Sequence, residues 1–170
     1  MPRGTVTPAV RIPAVPVEIG RGNLLKADVD ALVNTVNTVG VMGKGLALQF
    51  KRAFPEAFRD YERACRAGEV QIGRMHVVER LVSPRLIVNF PTKQHWRAAS
   101  KLEFIEAGLA DLVRVLREHG VSSVAVPALG CGLGGLAWSD VEPRIRSAFV
   151  ALPEVRVLLY APEGSASHTA

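Results

Sequence analysis

The chain has 170 residues, 48% of them hydrophobic, and a formal net charge of +5 at pH 7. That suits one domain with its own core, and no apolar run reaches the ~20 residues of a membrane-crossing helix. The positive charge permits a nucleic-acid or nucleotide partner without demanding one.

Pro2, Pro8, Pro13 and Pro16 interrupt the start of the chain, which lacks the continuous apolar stretch of a secretory signal. Cys65 and Cys131 form no disulfide framework, so a reducing cytoplasm is expected. His76, His95, His119 and His168 show no metal-ligand spacing.

Residues 1–14 read as an irregular arm, 15–162 as the folded domain and 163–170 as a disordered Gly/Ser/Ala-rich tail. Val15 to Ile19 reads as a short strand, followed by a turn at Gly22 to Leu25 and a buried strand over Ala31 to Val36. Gly45 to Ala53 reads as a helix that Pro55 stops. Pro55 opens a second helix over 55–67, with Gly68 after it. Met75 to Glu79 and Leu86 to Phe90 are strand-like, joined by a Ser83–Pro84 turn. Ser100 and Glu103 form a capping-box pattern before a helix carrying Leu102, Ile105, Leu109, Leu112 and Leu116, which Gly120 ends. Val124 to Val126 reads as a strand. Ser139 is the expected cap of a helix to about Ala151, with Pro143 near its first turn, and Val155 to Tyr160 is the last strand. The alternation predicts an α/β domain with a mixed, largely parallel sheet and helices on both faces.

Two segments are poor core material. Asn34 to Gly45 carries two amides, two hydroxyls, three glycines and Lys44 between a strand and a helix. Amides exchange hydrogen bonds with sugar hydroxyls, and glycines let backbone N–H groups approach a phosphate beside a helix N-terminus. Lys44 is followed by Gly45 rather than Ser or Thr, so this is not a Walker A loop. Gly130-Cys131-Gly132-Leu133-Gly134-Gly135 satisfies G-x-G-x-x-G. It stands near the C-terminus, however, and lacks the acidic residue a dinucleotide site needs about 20 residues on. The readings left are a phosphate-binding loop and a glycine-rich turn without a ligand. Lys51, Arg52, Arg59, Arg63 and Arg66 form either a solvated helix face or a phosphate-tracking surface.

In this order, Gly22-Asn23-Leu24, Asp30 to Asn34 with Asn37, the Gly40 to Gly45 loop, Val126 to Gly132 and Val157 to Tyr160 resemble a macrodomain, an ADP-ribose-binding module, over about residues 16–162. The resemblance implies a three-layer α/β/α fold. Asn34 to Asn37, Gly40 to Ala47, Asn89 to Lys93, His95-Trp96 and Leu133 to Leu136 resemble the branch of DNA ADP-ribosyl glycohydrolase antitoxins. That branch implies removal of ADP-ribose from thymine bases of single-stranded DNA. The implied partners are ADP-ribose, ADP-ribosylated single-stranded DNA and a DarT-type toxin that installs the mark using NAD. No resident cofactor, metal or membrane is implied, and a monomer is expected. The rivals are hydrolysis of ADP-ribosylated glutamate or of ADP-ribose phosphate, and non-catalytic reading of ADP-ribose.

The resemblance also assigns roles. Lys93 is the expected catalytic residue; by pattern alone it reads as a solvated surface lysine, and only the resemblance reverses that. A related branch pairs this lysine with an acidic residue where Gly134 stands here, which leaves open whether Lys93 acts covalently or by stabilising charge. Asn37, Gly43 and Gly45 are expected at the distal ribose, Thr35, Val36, Val41, Leu46 and Thr92 elsewhere along the ADP-ribose, and Met42 there or facing the base, with Asn34 structural. Leu129, Gly130, Cys131, Gly132, Leu133 and Gly134 are expected around the diphosphate. Asn23 and Tyr160 are expected at the adenine, where Tyr160 also reads as a core aromatic, and Leu24 is expected among the ADP-ribose-binding residues. Lys44, His95 and Trp96 are candidate base or DNA contacts, Trp96 reading equally as a packing residue.

Overall fold

The central strands explain the architecture. Two segments are buried almost throughout, β2 (Ala31–Asn37) and β4 (Leu86–Lys93), as required of strands covered on both faces. In the computed structural model, which describes Gly4 and residues 15–164, they are neighbouring interior strands of a six-stranded sheet. The other strands are β1 (Val17–Ile19), β3 (His76–Glu79), β5 (Ser123–Val126) and β6 (Arg156–Leu159), in the order β1-β6-β5-β2-β4-β3. All neighbours are parallel except β3 and β4, which join as an antiparallel pair at one edge. The arm expected over 1–14 and the tail from 165 onward lie outside the described residues, Gly4 apart.

Alternation along the strands divides the core. Val33, Val88 and Phe90 face α3 (Leu102–Glu118) and α4 (Trp138–Phe149), meeting Ile105, Leu112 and Ile145. Leu32 and Ile87, one residue out of phase, meet Phe50 of α1 (Gly45–Ala53) and Ala57 of α2 (Pro55–Arg66). A smaller cluster beneath the first polar loop joins Val36, Met42, Tyr61 and Ala64. These are the three layers expected from the resemblance.

Two caps differ from expectation. Lys101, not Ser100, precedes α3, and no side chain caps it. Ser100 instead sits under the second glycine loop, donating its N–H to the Gly134 carbonyl at 3.0 Å. Its buried hydroxyl has no hydrogen-bond partner among the described residues. Helix α4 starts at Trp138, so Ser139 is already inside it and Pro143 lies in its interior. The turn at Gly22 to Leu25 becomes a 3-10 turn at Leu24–Lys26. The basic helix face resolves into solvated pairs, Arg63 with Asp60 and Arg66 with Glu62, while Lys51 lies over the Phe58 ring.

Candidate functional site

The C-terminal ends of β2, β4 and β5 open into a cavity of about 880 Å³. Parallel α/β sheets bind ligands at this edge. A more open groove between α3 and α4 offers little chemistry, since its Glu106 and Arg144 pair with each other at 2.8 Å.

The first polar loop forms one wall. Thr35, Val36, Asn37, Val41, Gly43, Lys44, Gly45, Leu46 and Ala47 line the cavity. Asn37 organises this wall. Its amide nitrogen donates to the Val41 carbonyl at 2.8 Å, and its side-chain oxygen accepts from the N–H of Val39 and of Val41. The Tyr61 hydroxyl lies 2.7 Å from the Asn37 carbonyl and 2.9 Å from its side-chain oxygen. That oxygen is therefore committed to the protein, whatever the remaining amide hydrogen does. Gly45 takes φ +57°, a left-handed turn that glycine adopts without strain, as the chain enters α1. The N-terminal N–H groups of α1, which have no intrahelical acceptor, face the same space.

The Met42 side chain does not line the cavity. It is 3% exposed and packs inward against Tyr61, with its sulfur 3.8 Å from Asn34 Nδ2. Asn34 is structural, as expected. Its amide nitrogen donates to Asn89 Oδ1 at 3.2 Å, Asn89 Nδ2 meets His76 Nδ1 at 3.0 Å, and His76 Nε2 meets Asp60 at 2.8 Å.

The second loop forms the opposite wall with Pro127, Ala128, Gly130, Cys131, Gly132, Leu133 and Gly134. The N–H groups of Gly132, Leu133 and Gly134 have no acceptor among the described residues, the condition for backbone recognition of an anion. A Cβ at Gly134 would stand 2.5 Å from the Gly130 carbonyl oxygen, so the loop's closure excludes any side chain there. Burial raises the Cys131 thiol to about 11, leaving it protonated at neutral pH and unsuited to nucleophilic attack. Leu129 is fully buried in the core and does not reach the cavity.

Lys93 stands at the end of β4 on the cavity wall. Val36 pairs with Pro91 but Asn37 pairs with Lys93, so Thr92 is an extra residue. Such a bulge re-aims the side chains beside it. Lys93 Nζ donates to the Trp96 carbonyl at 3.0 Å. Burial lowers its pKa from the usual lysine range. The turn is tied to the first loop, since the Thr38 hydroxyl donates to the Gln94 carbonyl at 2.8 Å.

Trp96 lines the mouth, but His95 does not. The His95 ring lies 5.1 Å from the indole, and its Nδ1 accepts from the Arg97 N–H. At the far end, Asn23, Leu24 and Tyr160 stand outside the lining. Asn23 caps the 3-10 turn by accepting from the Leu25 N–H at 3.0 Å. Leu24 is buried, and the Tyr160 ring fills the space a Cβ at Gly20 would need. Ala47, Arg97, Pro127, Ala128, Pro162 and Glu163 line the cavity without having been singled out. The available signals were the Val126-Pro127-Ala128 strand end and a cation, Arg97, following two aromatic rings.

Two glycine-bearing walls and a strand-end lysine at the open edge of a largely parallel sheet form a cavity whose chemistry suits a phosphorylated sugar. The Macro domain family profile matches residues 33–145, and the chain belongs to that family. A Mycobacterium tuberculosis protein described as a DNA ADP-ribosyl glycohydrolase is 61% identical over 150 residues, covering 87% of this chain and 43% of the relative. The chain thus spans less than half the length of that curated relative. The macrodomain of M. tuberculosis DarG superposes with a TM-score of 0.86 at 60% identity, over 88% of this chain and 99% of that one. A Thermosipho africanus structure described as DarTG in complex with ADP-ribose gives a TM-score of 0.79 at 37% identity, over 85% of this chain and 41% of that one.

Among the described residues no group of three His, Cys, Asp or Glu side chains is arranged to hold a metal, and no helix is long and apolar enough to cross a membrane.

Proposed function

We propose that this chain is a DNA ADP-ribosyl glycohydrolase that removes ADP-ribose from thymine bases of single-stranded DNA, reversing the mark of a DarT-type toxin as its antitoxin in a bacterial cytoplasm. The supporting observation is Lys93, which the β4 bulge brings to the cavity wall beside Asn37. The high identity to a relative described as a DNA ADP-ribosyl glycohydrolase points the same way.

The first loop holds the distal ribose and the N–H groups of the second loop hold the diphosphate. Water adds to the anomeric carbon while the bond from that carbon to thymine breaks; hydroxyl ends on the ribose and a proton on the base. Gly134 supplies no carboxylate opposite the lysine and, among the described lining residues, Glu163 is the sole acid. Lys93 therefore acts as an ammonium, stabilising charge as the base leaves, rather than as a nucleophile toward an opened sugar. Lys44 and Trp96 contact the DNA around the modified base.

The test is incubation with thymine-ADP-ribosylated single-stranded DNA and, separately, glutamate-ADP-ribosylated protein. Release of ADP-ribose from the DNA is expected; release from the protein alone overturns the assignment.

A further inference from the structure

The turn that holds Lys93 also forms part of the cavity mouth. Trp96 and Arg97 both line it, and Trp96 is 42% exposed. The guanidinium carbon of Arg97 lies 4.3 Å over the indole, so its planar fork is held in place by stacking. Arg97 takes part in none of the ion pairs among the described residues, whereas Arg63, Arg66, Arg114 and Arg156 each sit against a carboxylate. A stacked, unpaired arginine beside an exposed indole suits a nucleotide strand, with its phosphodiester on the fork and a base on the ring system. The Trp96 carbonyl is also the acceptor that fixes Lys93, so whatever seats this turn sets the lysine.

We propose that the Trp96–Arg97 turn senses the DNA strand: Arg97 takes a phosphodiester flanking the modified base, and the seated turn positions Lys93 through the Trp96 carbonyl. This rests on the glycohydrolase reading above. It makes Arg97 a specificity residue and the turn a positioning device, which together distinguish a modified strand from a free modified nucleoside.

The experiment compares initial rates of the whole chain on a short single-stranded oligonucleotide carrying one ADP-ribosylated thymine and on ADP-ribosyl-thymidine, which has no phosphodiester. The oligonucleotide is expected to react with the higher kcat and with a kcat/KM roughly tenfold greater, an advantage that shrinks as salt rises. Arg97→Gln should lower the oligonucleotide's kcat toward that of the nucleoside. Arg97→Lys should restore the salt-sensitive KM but not the kcat, because it keeps the charge and loses the fork. Equal kcat on both substrates in the unmodified chain, or an unchanged ratio in Arg97→Gln, overturns the inference and leaves the glycohydrolase reading intact. Hydrolysis of neither substrate overturns both. The comparison on the unmodified chain needs no variant to fold.

Discussion

Lys93 Nζ lies 3.0 Å from the carbonyl oxygen of Trp96. The lysine is thus held by backbone, and no carboxylate among the described residues forms an ion pair with it. Lys93→Ala is expected to lower turnover by at least ~100-fold, the scale of a lost electrostatic stabiliser. Affinity for free ADP-ribose, measured by calorimetry, should change little because the two loops remain. Unchanged turnover would remove Lys93 from the mechanism.

The pH dependence follows from burial. Desolvation lowers the pKa of Lys93, and the amine is charged only below its pKa. A rate that uses the ammonium therefore falls as pH rises through a value beneath the usual lysine range. A rate that climbs over the same interval would indicate the neutral amine as nucleophile. Cyanoborohydride trapping during turnover provides the chemical check: no covalent adduct of the chain is expected.

Gly134 is closed to side chains. Gly134→Asp, which would restore the acid of the related branch, should cost ~1–3 kcal/mol of stability because its Cβ meets the Gly130 carbonyl. It should not raise activity. A Cβ at Gly132 would meet nothing within 4 Å, so Gly132→Ala should stay within ~0.5 kcal/mol in chemical denaturation. Equal losses in the two variants would contradict this reading of the loop.

Tyr61 and Asn37 separate ligand contact from loop organisation. Tyr61→Phe deletes a buried hydroxyl held 2.7 Å from the Asn37 carbonyl, a loss of ~1 kcal/mol. If Asn37 works by holding the loop, ADP-ribose affinity should weaken in both Tyr61→Phe and Asn37→Ala. If Asn37 works only by touching the ribose, Tyr61→Phe should leave affinity unchanged.

Asp60 links stability to acid. Burial pushes its pKa up, but hydrogen bonds from His76 and Arg63 outweigh that and hold it below the usual value. A lowered carboxylate contributes stability above its unfolded pKa and loses it as pH falls through the folded pKa. The stability gap between the unmodified chain and Asp60→Asn should therefore be constant near neutrality and close on acidification below about pH 4. A gap independent of pH would contradict the linkage.

Much of the fold was legible because it depends on local pattern. The bounds expected for α1, Gly45 to Ala53, are those observed, since Lys44-Gly45 and Phe54-Pro55 punctuate them chemically. The apolar run of β2 marked a strand covered on both faces. Long-range relationships left no such trace. Asn34 and Asn89 meet 55 residues apart in sequence, so nothing local marked the chain of polar groups running to Asp60. Ser100 carried a valid cap pattern, but packing under Gly134 claimed it. Met42 and Leu129 sat inside the right motifs, yet the fold buries both side chains in the core rather than along the cavity. Lys93 was identified through resemblance; the Thr92 bulge that aims it depends on pairing with β2 and has no signature in β4 alone.

The most direct measurement is release of ADP-ribose from a single-stranded oligonucleotide carrying one ADP-ribosylated thymine, followed by chromatography for the unmodified chain and for Lys93→Ala. The expected result is free ADP-ribose with restored oligonucleotide for the unmodified chain and almost none for the variant. Intact modified oligonucleotide after incubation with a chain that binds ADP-ribose would contradict the glycohydrolase assignment and leave a reader of ADP-ribose in its place.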